Sequence, residues 1–237
     1  MGKVYITGAG PGDIELLTIK ALKIIKQADV IVYDNLINND ILNEAKENCE
    51  FIYVGKKISH HTLKQEEINE LLYNLSSKYN IVVRLKGGDP TIFGRGAEEA
   101  LYLKEKNIEF EFIPGVSSIY AVAECENLPI THRELSKGFR VVSGHKSKKD
   151  NLNWESFNTE ETIIFLMGLH NIENIAKKLI SIGKPKNYPV AVISNGTTKN
   201  SKVVIGTLED IYKKTKDLNP PAIIIVGKVV ELYKKLN

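Results

Sequence analysis

Between Arg84 and Gly96 the chain reads R-L-K-G-G-D-P-T-I-F-G-R-G, directly after the apolar run Ile81-Val82-Val83. Adjacent glycines bare the backbone, so N–H and C=O groups can meet a ligand without an intervening side chain. Asp89 can accept hydrogen bonds from an amine or hydroxyl, or cap a turn. Arg84, Lys86 and Arg95 flank the pair with positive charge suited to carboxylates. Capping accounts for the aspartate. It does not account for the glycine pair with its basic flanks.

A second glycine-rich turn, G-A-G-P-G-D at 8–13, follows Val4-Tyr5-Ile6, and Asp34 follows the run Val30–Tyr33. The pattern superficially matches a dinucleotide fingerprint. Its third glycine would fall on Asp13, whose carboxylate repels a pyrophosphate, and Pro11 removes an N–H from the loop. A ligand without phosphates, or with a positive charge such as the sulfonium of S-adenosylmethionine, avoids the conflict. A plain tight turn needing positive φ fits these glycines equally well.

Other candidates are weaker alone. His132-Arg133, His145-Lys146 and His60-His61 offer charge or ligands, but a histidine pair without a third ligand does not predict a metal. Met167 is by default a core residue. Cys49 and Cys125 make no disulfide framework.

These residues need a scaffold. Val4–Thr7, Val30–Tyr33, Phe51–Val54, Ile81–Leu85 and Glu109–Ile113 read as strands. Leu16–Gln27, Asp40–Lys46, Gln65–Ser77 and Ala97–Lys104 carry helical spacing between them. After Pro114-Gly115 a helix over 117–125 is expected. Strands follow at Phe139–Ser143, Thr162–Leu166, Val190–Ser194, Lys202–Gly206 and Ala222–Val226, with helices at 171–182, 208–214 and 229–235. Alternation of this kind predicts α/β architecture: two lobes with mainly parallel sheets, over 1–114 and 115–237. The polar stretch 146–158 reads as a long loop.

The 237 residues suffice for such lobes, and a net charge of +3 is too small to imply nucleic acid. No apolar run approaches the ~20 residues of a membrane span. The N-terminus enters a strand without a signal-peptide pattern, so a cytoplasmic protein is expected.

The ordered set of motifs resembles the tetrapyrrole methylases. G-A-G-P-G-D, R-L-K-G-G-D-P-T-I-F-G-R-G and P-G-V-S-S (114–118) are joined by V-Y-D-N-L-I (32–37), V-G-K-K (54–57) and H-H-T-L-K-Q-E-E-I-N (60–69). L-P-I-T-H-R (128–133), F-L-M-G-L (165–169), N-G-T-T (195–198) and P-A-I-I-I-V-G (221–227) extend the match nearly end to end. Within the family, the resemblance points to the branch that C-methylates uroporphyrinogen III. It implies S-adenosyl-L-methionine as cofactor, a cleft between the lobes and a homodimer.

Carried over position by position, the resemblance implies cofactor contacts at Pro11, Gly87, Gly88, Asp89 and Ile92. It also implies them at Ser117, Ser118, Met167, Gly196 and Ala222. Asp34 and Lys56 take the acid–base roles. Arg84, Lys86, Arg95, His132 and Arg133 are candidates for the eight substrate carboxylates. No metal is implied. A methylase of a later corrin precursor and a nicotinamide-dependent oxidoreductase are the rival readings. The length leaves no room for the dehydrogenase–chelatase lobe of some relatives, so another protein is expected to oxidise the product.

Overall fold

A computed structural model describes residues 1–55, 63–145 and 152–237. Two compact units divide the chain, Met1–Ser117 and Ser118–Asn237. Lys56, His60, His61 and Lys146 lie outside the described residues.

The first unit holds β1 (Lys3–Gly8), α1 (Ile19–Gln27), β2 (Val30–Tyr33), β3 (Glu50–Tyr53), α2 (Gln65–Ser76), β4 (Ile81–Lys86), α3 (Gly96–Glu105) and β5 (Phe110–Ile113). The strands lie in the order β3-β2-β4-β1-β5, all parallel. The expected helix over 16–27 is broken in two. Thr18 accepts from Ala21 N through its hydroxyl at 3.1 Å and so caps α1, leaving a short 3-10 turn at Ile14–Leu16 before it. Asn39–Glu44 is likewise 3-10 rather than α.

Strand parity decides which face each side chain joins. Val4, Ile6, Val32 and Val82 pack against α2 and α3 through Leu72, Leu75, Ala100 and Leu103. Ile31, Val83 and Leu85 pack on the other face against Ile25 of α1. The connections leaving adjacent strands β1 and β4 therefore go to opposite faces. That divergence makes a topological switch point at their carboxyl ends, the usual ligand crevice of an open α/β sheet.

The second unit holds α4 (Ser118–Glu124), β6 (Phe139–Ser143), β7 (Thr162–Leu166), α5 (Ile172–Ser181), β8 (Pro189–Ser194), β9 (Lys202–Thr207), α6 (Ile211–Lys214), β10 (Ala222–Val226) and α7 (Tyr233–Leu236). Its sheet runs β6-β7-β10-β8-β9. Here the expectation of mainly parallel pairing needs correction, although the α/β class stands. Only β6 pairs β7 in parallel; β10 is antiparallel to both β7 and β8, and β8 to β9. The reason is connection length. The short turn 195–201 folds β9 straight back on β8 as a hairpin, with no crossover helix to restore direction.

One face of this sheet buries Phe165, Val190 and Val192 against Ile172, Ile175 and Leu179 of α5. The other buries Ile164, Ala191 and Ile193 against Ile119 and Val122 of α4. Part of the expected loop 146–158 is ordered into this core. Trp154–Phe157 forms a 3-10 turn, and Trp154 and Phe157 pack around Phe165 with ring centroids 5.6–6.3 Å apart. Packing the half-buried Trp154 and the buried Phe157 onto Phe165 outweighs the polar character of the flanking residues.

Candidate functional site

At the carboxyl edge of the first sheet three strand ends meet backbone to backbone. Gly88 N donates to Gly10 O at 2.7 Å and Gly10 N returns a bond to Gly88 O at 3.3 Å, pinning the two glycine turns together across the switch point. Gly10 and Gly88 have φ of +73° and +66°, conformations that favour glycine. A Cβ on Gly115 would stand 2.2 Å from Gly88 O and 2.7 Å from Gly8 Cα. A Cβ on Gly87 would stand 2.8 Å from Leu36 Cβ. Close packing of chain on chain therefore does require these glycines, contrary to the expectation from sequence.

Asp89 is an internal tie. Oδ1 accepts from Thr91 N and Oγ1 at 2.9 and 2.6 Å, and Oδ2 accepts from Gly115 N at 3.2 Å. Capping is thus realised, and a ligand would share this carboxylate with the turn. Pro11 sits in the first glycine turn, and Ile92 stands 41% exposed in the loop after β4.

Asp34 leaves β2 at the same edge. Its Oδ1 accepts from Leu36 N at 3.0 Å and its Oδ2 from Arg84 Nη2 at 3.0 Å, with 22% of the side chain exposed. The carboxylate is thus oriented by two donors while remaining open to solvent on one side. β3 ends beside it, Tyr53 pairing with Tyr33.

The assignment of Arg84 and Lys86 to substrate carboxylates is corrected. They are only 3% and 4% exposed. On β4 they share the parity of Val82, the face that α3 covers. Arg84 Nε and Lys86 Nζ both donate to Glu99 Oε1, at 3.1 and 2.8 Å. Burial, and secondarily the charge of Arg84, hold the Lys86 ammonium below its ordinary pKa. Charges so enclosed cannot reach an exposed ligand. Sequence reading missed Glu99, although the spacing of Gly96, Glu99, Ala100 and Leu103 marks the buried face of α3. Arg95 is exposed and held bidentately by Glu98 at 2.9 and 2.6 Å. It retains a route to solvent.

The second unit gathers its candidates on one sheet edge. Because β10 opposes β7 and β8, its first residue lies where they end: Ala222 pairs with Ser194, and Ile223 with Leu166. Met167 and Gly196, just past those ends, thereby join Ala222. Met167 is 55% exposed and has φ +56°, so it is not a core residue. An unbranched apolar residue held exposed in a left-handed conformation is an uncommon arrangement. A Cβ on Gly196 would stand 2.2 Å from Val122 Cγ1, which brings this turn against α4, opened by Ser118. Ser117, just before it, is buried. Elsewhere in this unit His132 Nδ1 accepts from Glu134 N at 3.2 Å, and Arg133 is exposed.

Among the described residues, no group of three or more His, Cys, Asp or Glu converges as a metal site. No described helix is long and apolar enough to cross a membrane.

Two α/β units, each carrying glycine turns at one sheet edge, define a class that comparison with known proteins makes specific. Residues 3–212 match the family model described as tetrapyrrole (corrin/porphyrin) methylases, and the chain belongs to that family. It is 51% identical to the uroporphyrinogen-III C-methyltransferase of Methanocaldococcus jannaschii, over 98% of each chain. Among solved structures it is similar to the Thermus thermophilus uroporphyrin-III C-methyltransferase complexed with S-adenosyl homocysteine. The TM-score is 0.85 and the identity 39%, covering 98% of this chain and all of the other. A cobalt precorrin-4 methyltransferase superposes as well, with a TM-score of 0.85, at 26% identity over 96% and 95% of the two chains.

Proposed function

We propose that this chain transfers methyl groups from S-adenosyl-L-methionine to C2 and C7 of uroporphyrinogen III, giving precorrin-2 for siroheme or cobalamin synthesis. The observation that carries the reading is Asp34. It is a half-open carboxylate, aimed by Arg84 and Leu36 N, beside the glycine turns at a switch point. The 51% identity to a uroporphyrinogen-III enzyme, against 26% to a precorrin-4 enzyme, favours uroporphyrinogen III over later precursors.

The residues fit a sulfonium cofactor. Arg84 and Lys86 turn inward, so the edge presents Asp13, Asp34 and Asp89 instead of buried cations. When bound, the cofactor supplies an electrophilic methyl group. The glycine turn at Gly87-Gly88 in the first unit, and Met167, Gly196 and Ala222 at one sheet edge of the second, are the groups we propose to contact it. A pyrrole carbon that accepts the methyl becomes part of a cationic ring. Asp34 then takes the proton whose loss restores the neutral product. Lys56 follows as the partner in proton handling. Arg95 and Arg133 are exposed cations left for substrate carboxylates, and His132 offers them a hydrogen bond from Nε2. The reading includes a cytoplasmic homodimer, which light scattering on the purified protein tests.

Incubation with uroporphyrinogen III and methyl-labelled cofactor should give a doubly labelled tetrapyrrole. Absence of label in any tetrapyrrole sinks the proposal. Asp34→Asn should bind S-adenosylhomocysteine normally and turn over poorly. Tight binding of NADH with none of S-adenosylhomocysteine would instead support an oxidoreductase.

A further inference from the structure

Glu99 is fully buried on α3, and its Oε2 accepts no hydrogen bond among the described residues. A carboxylate in that position is costly unless its charge serves its neighbours. All of its bonding falls on Oε1, which accepts from Arg84 Nε, Lys86 Nζ and, at 3.3 Å, Gln65 Nε2. Four of the five Arg84 N–H groups are engaged. Nη1 donates to Leu85 O at 2.9 Å and Val32 O at 3.4 Å, and Nη2 reaches Asp34. The planar fork therefore has one orientation, set at Nε by Glu99 and read out at Nη2 by Asp34.

We propose that Glu99 is a positioning residue for Asp34, acting through Arg84. This rests on Asp34 being the catalytic base. In this chain of contacts Glu99 fixes Arg84, Arg84 holds one Asp34 oxygen, and Leu36 N holds the other. Lys86 balances the buried charge, since Glu99 would otherwise meet Arg84 while Arg84 is shared with Asp34. A merely structural cluster would need only charge balance. A positioning chain needs Glu99 itself.

Two variants separate these roles. Glu99→Gln leaves Arg84 and Lys86 without a buried anion, so the melting temperature should fall. Glu99→Gln with Lys86→Met removes one charge of each sign, and the melting temperature should return toward that of the parent chain. The proposal expects kcat to stay low in both, on the order of 10- to 100-fold down, with KM for S-adenosylmethionine unchanged. Arg84→Lys keeps the charge but loses the fork, and should show the same loss of kcat. If the single variant fails to fold, the double variant and Arg84→Lys carry the test.

Recovery of kcat together with stability in the double variant overturns the proposal, because the cluster would then be structural only. A normal kcat in Arg84→Lys overturns it as well. Asp34→Asn run alongside tells the two readings apart. Full turnover in Asp34→Asn removes the base assignment and the proposal with it. An inactive Asp34→Asn beside a fully active double variant removes the positioning role alone.

Discussion

Gly115→Ala tests whether the strand-end glycines are there for chain packing. Gly115 is not among the residues of positive φ, so alanine can adopt its backbone conformation and only the new methyl matters. That methyl would lie 2.2 Å from Gly88 O, 2.7 Å from Gly8 Cα and 2.9 Å from Gly8 C. All are backbone atoms, and none can rotate away. Gly88 O must retreat by about 1 Å to reach an ordinary contact. It would then loosen its bond with Gly10 N, and Gly115 N would shift from Asp89. Overpacking of this kind costs about 1–3 kcal/mol, and a weakened backbone bond adds ~1. For a chain of this size each kcal/mol moves the melting temperature by about 2–4 °C, so a fall of roughly 4–16 °C is expected by calorimetry. Gly183→Ala is the control. Its φ is +104°, but its Cβ would meet only Asn158 Nδ2, at 3.7 Å. It should lose stability through conformation alone, about 1–2 kcal/mol. Only Gly115→Ala should also weaken S-adenosylhomocysteine, on the order of tenfold or about 1.4 kcal/mol, because it displaces Gly88. An unchanged melting temperature in Gly115→Ala refutes the packing argument. Equal affinity in the two variants refutes the link from this turn to the cofactor.

Met167→Gly relieves a left-handed conformation at an exposed position, so the melting temperature should rise, by about 1 kcal/mol of stability, while affinity for S-adenosylhomocysteine falls. A loss of both stability and affinity would show that Met167 packs structurally. Asp29 accepts from Lys46, Ile81 N and Asn80 N; the Lys46 bond is the largest cause holding its pKa below 3.8. Its contribution is present above pH 3.8 and is lost as pH falls through the depressed folded value. Asp29→Asn should therefore cost about 1–2 kcal/mol near neutrality and nothing in strong acid, as urea melts at several pH values would reveal. For Lys86, burial is the largest cause holding the folded pKa below 10.5, so just below pH 10.5 the unfolded chain binds the additional proton. Its contribution to stability should rise with pH in that window, so the stability of the parent chain relative to Lys86→Met should rise as pH approaches 10.5. A flat difference would place the Lys86 ammonium in an ordinary environment.

All ten strands among the described residues were legible as apolar runs bounded by turn residues, because a strand covered on both faces reads as a continuous apolar run. The breaks in helices were harder to see. Thr18 stops one element and starts another through a single hydroxyl bond, and nothing in the apolar spacing of 16–27 signals it. Trp154 and Phe157 sit among polar residues, and only the position of Phe165 makes their burial worthwhile.

Composition and motif spacing alone determined the α/β class, the family resemblance and the glycine turns at strand ends. Those features depend on residue types in fixed order. Tertiary structure decided what the charges beside the glycines do. Parity already placed Arg84 and Lys86 on the face of Val82, but only the packing of α3 buried that face and supplied Glu99. It also decided that β10 runs against β7 and β8, which carries Ala222 to the edge shared by Met167 and Gly196. Partners and strand directions of this kind join residues far apart in the chain. Local periodicity fixes the face a side chain joins and is silent on what covers it.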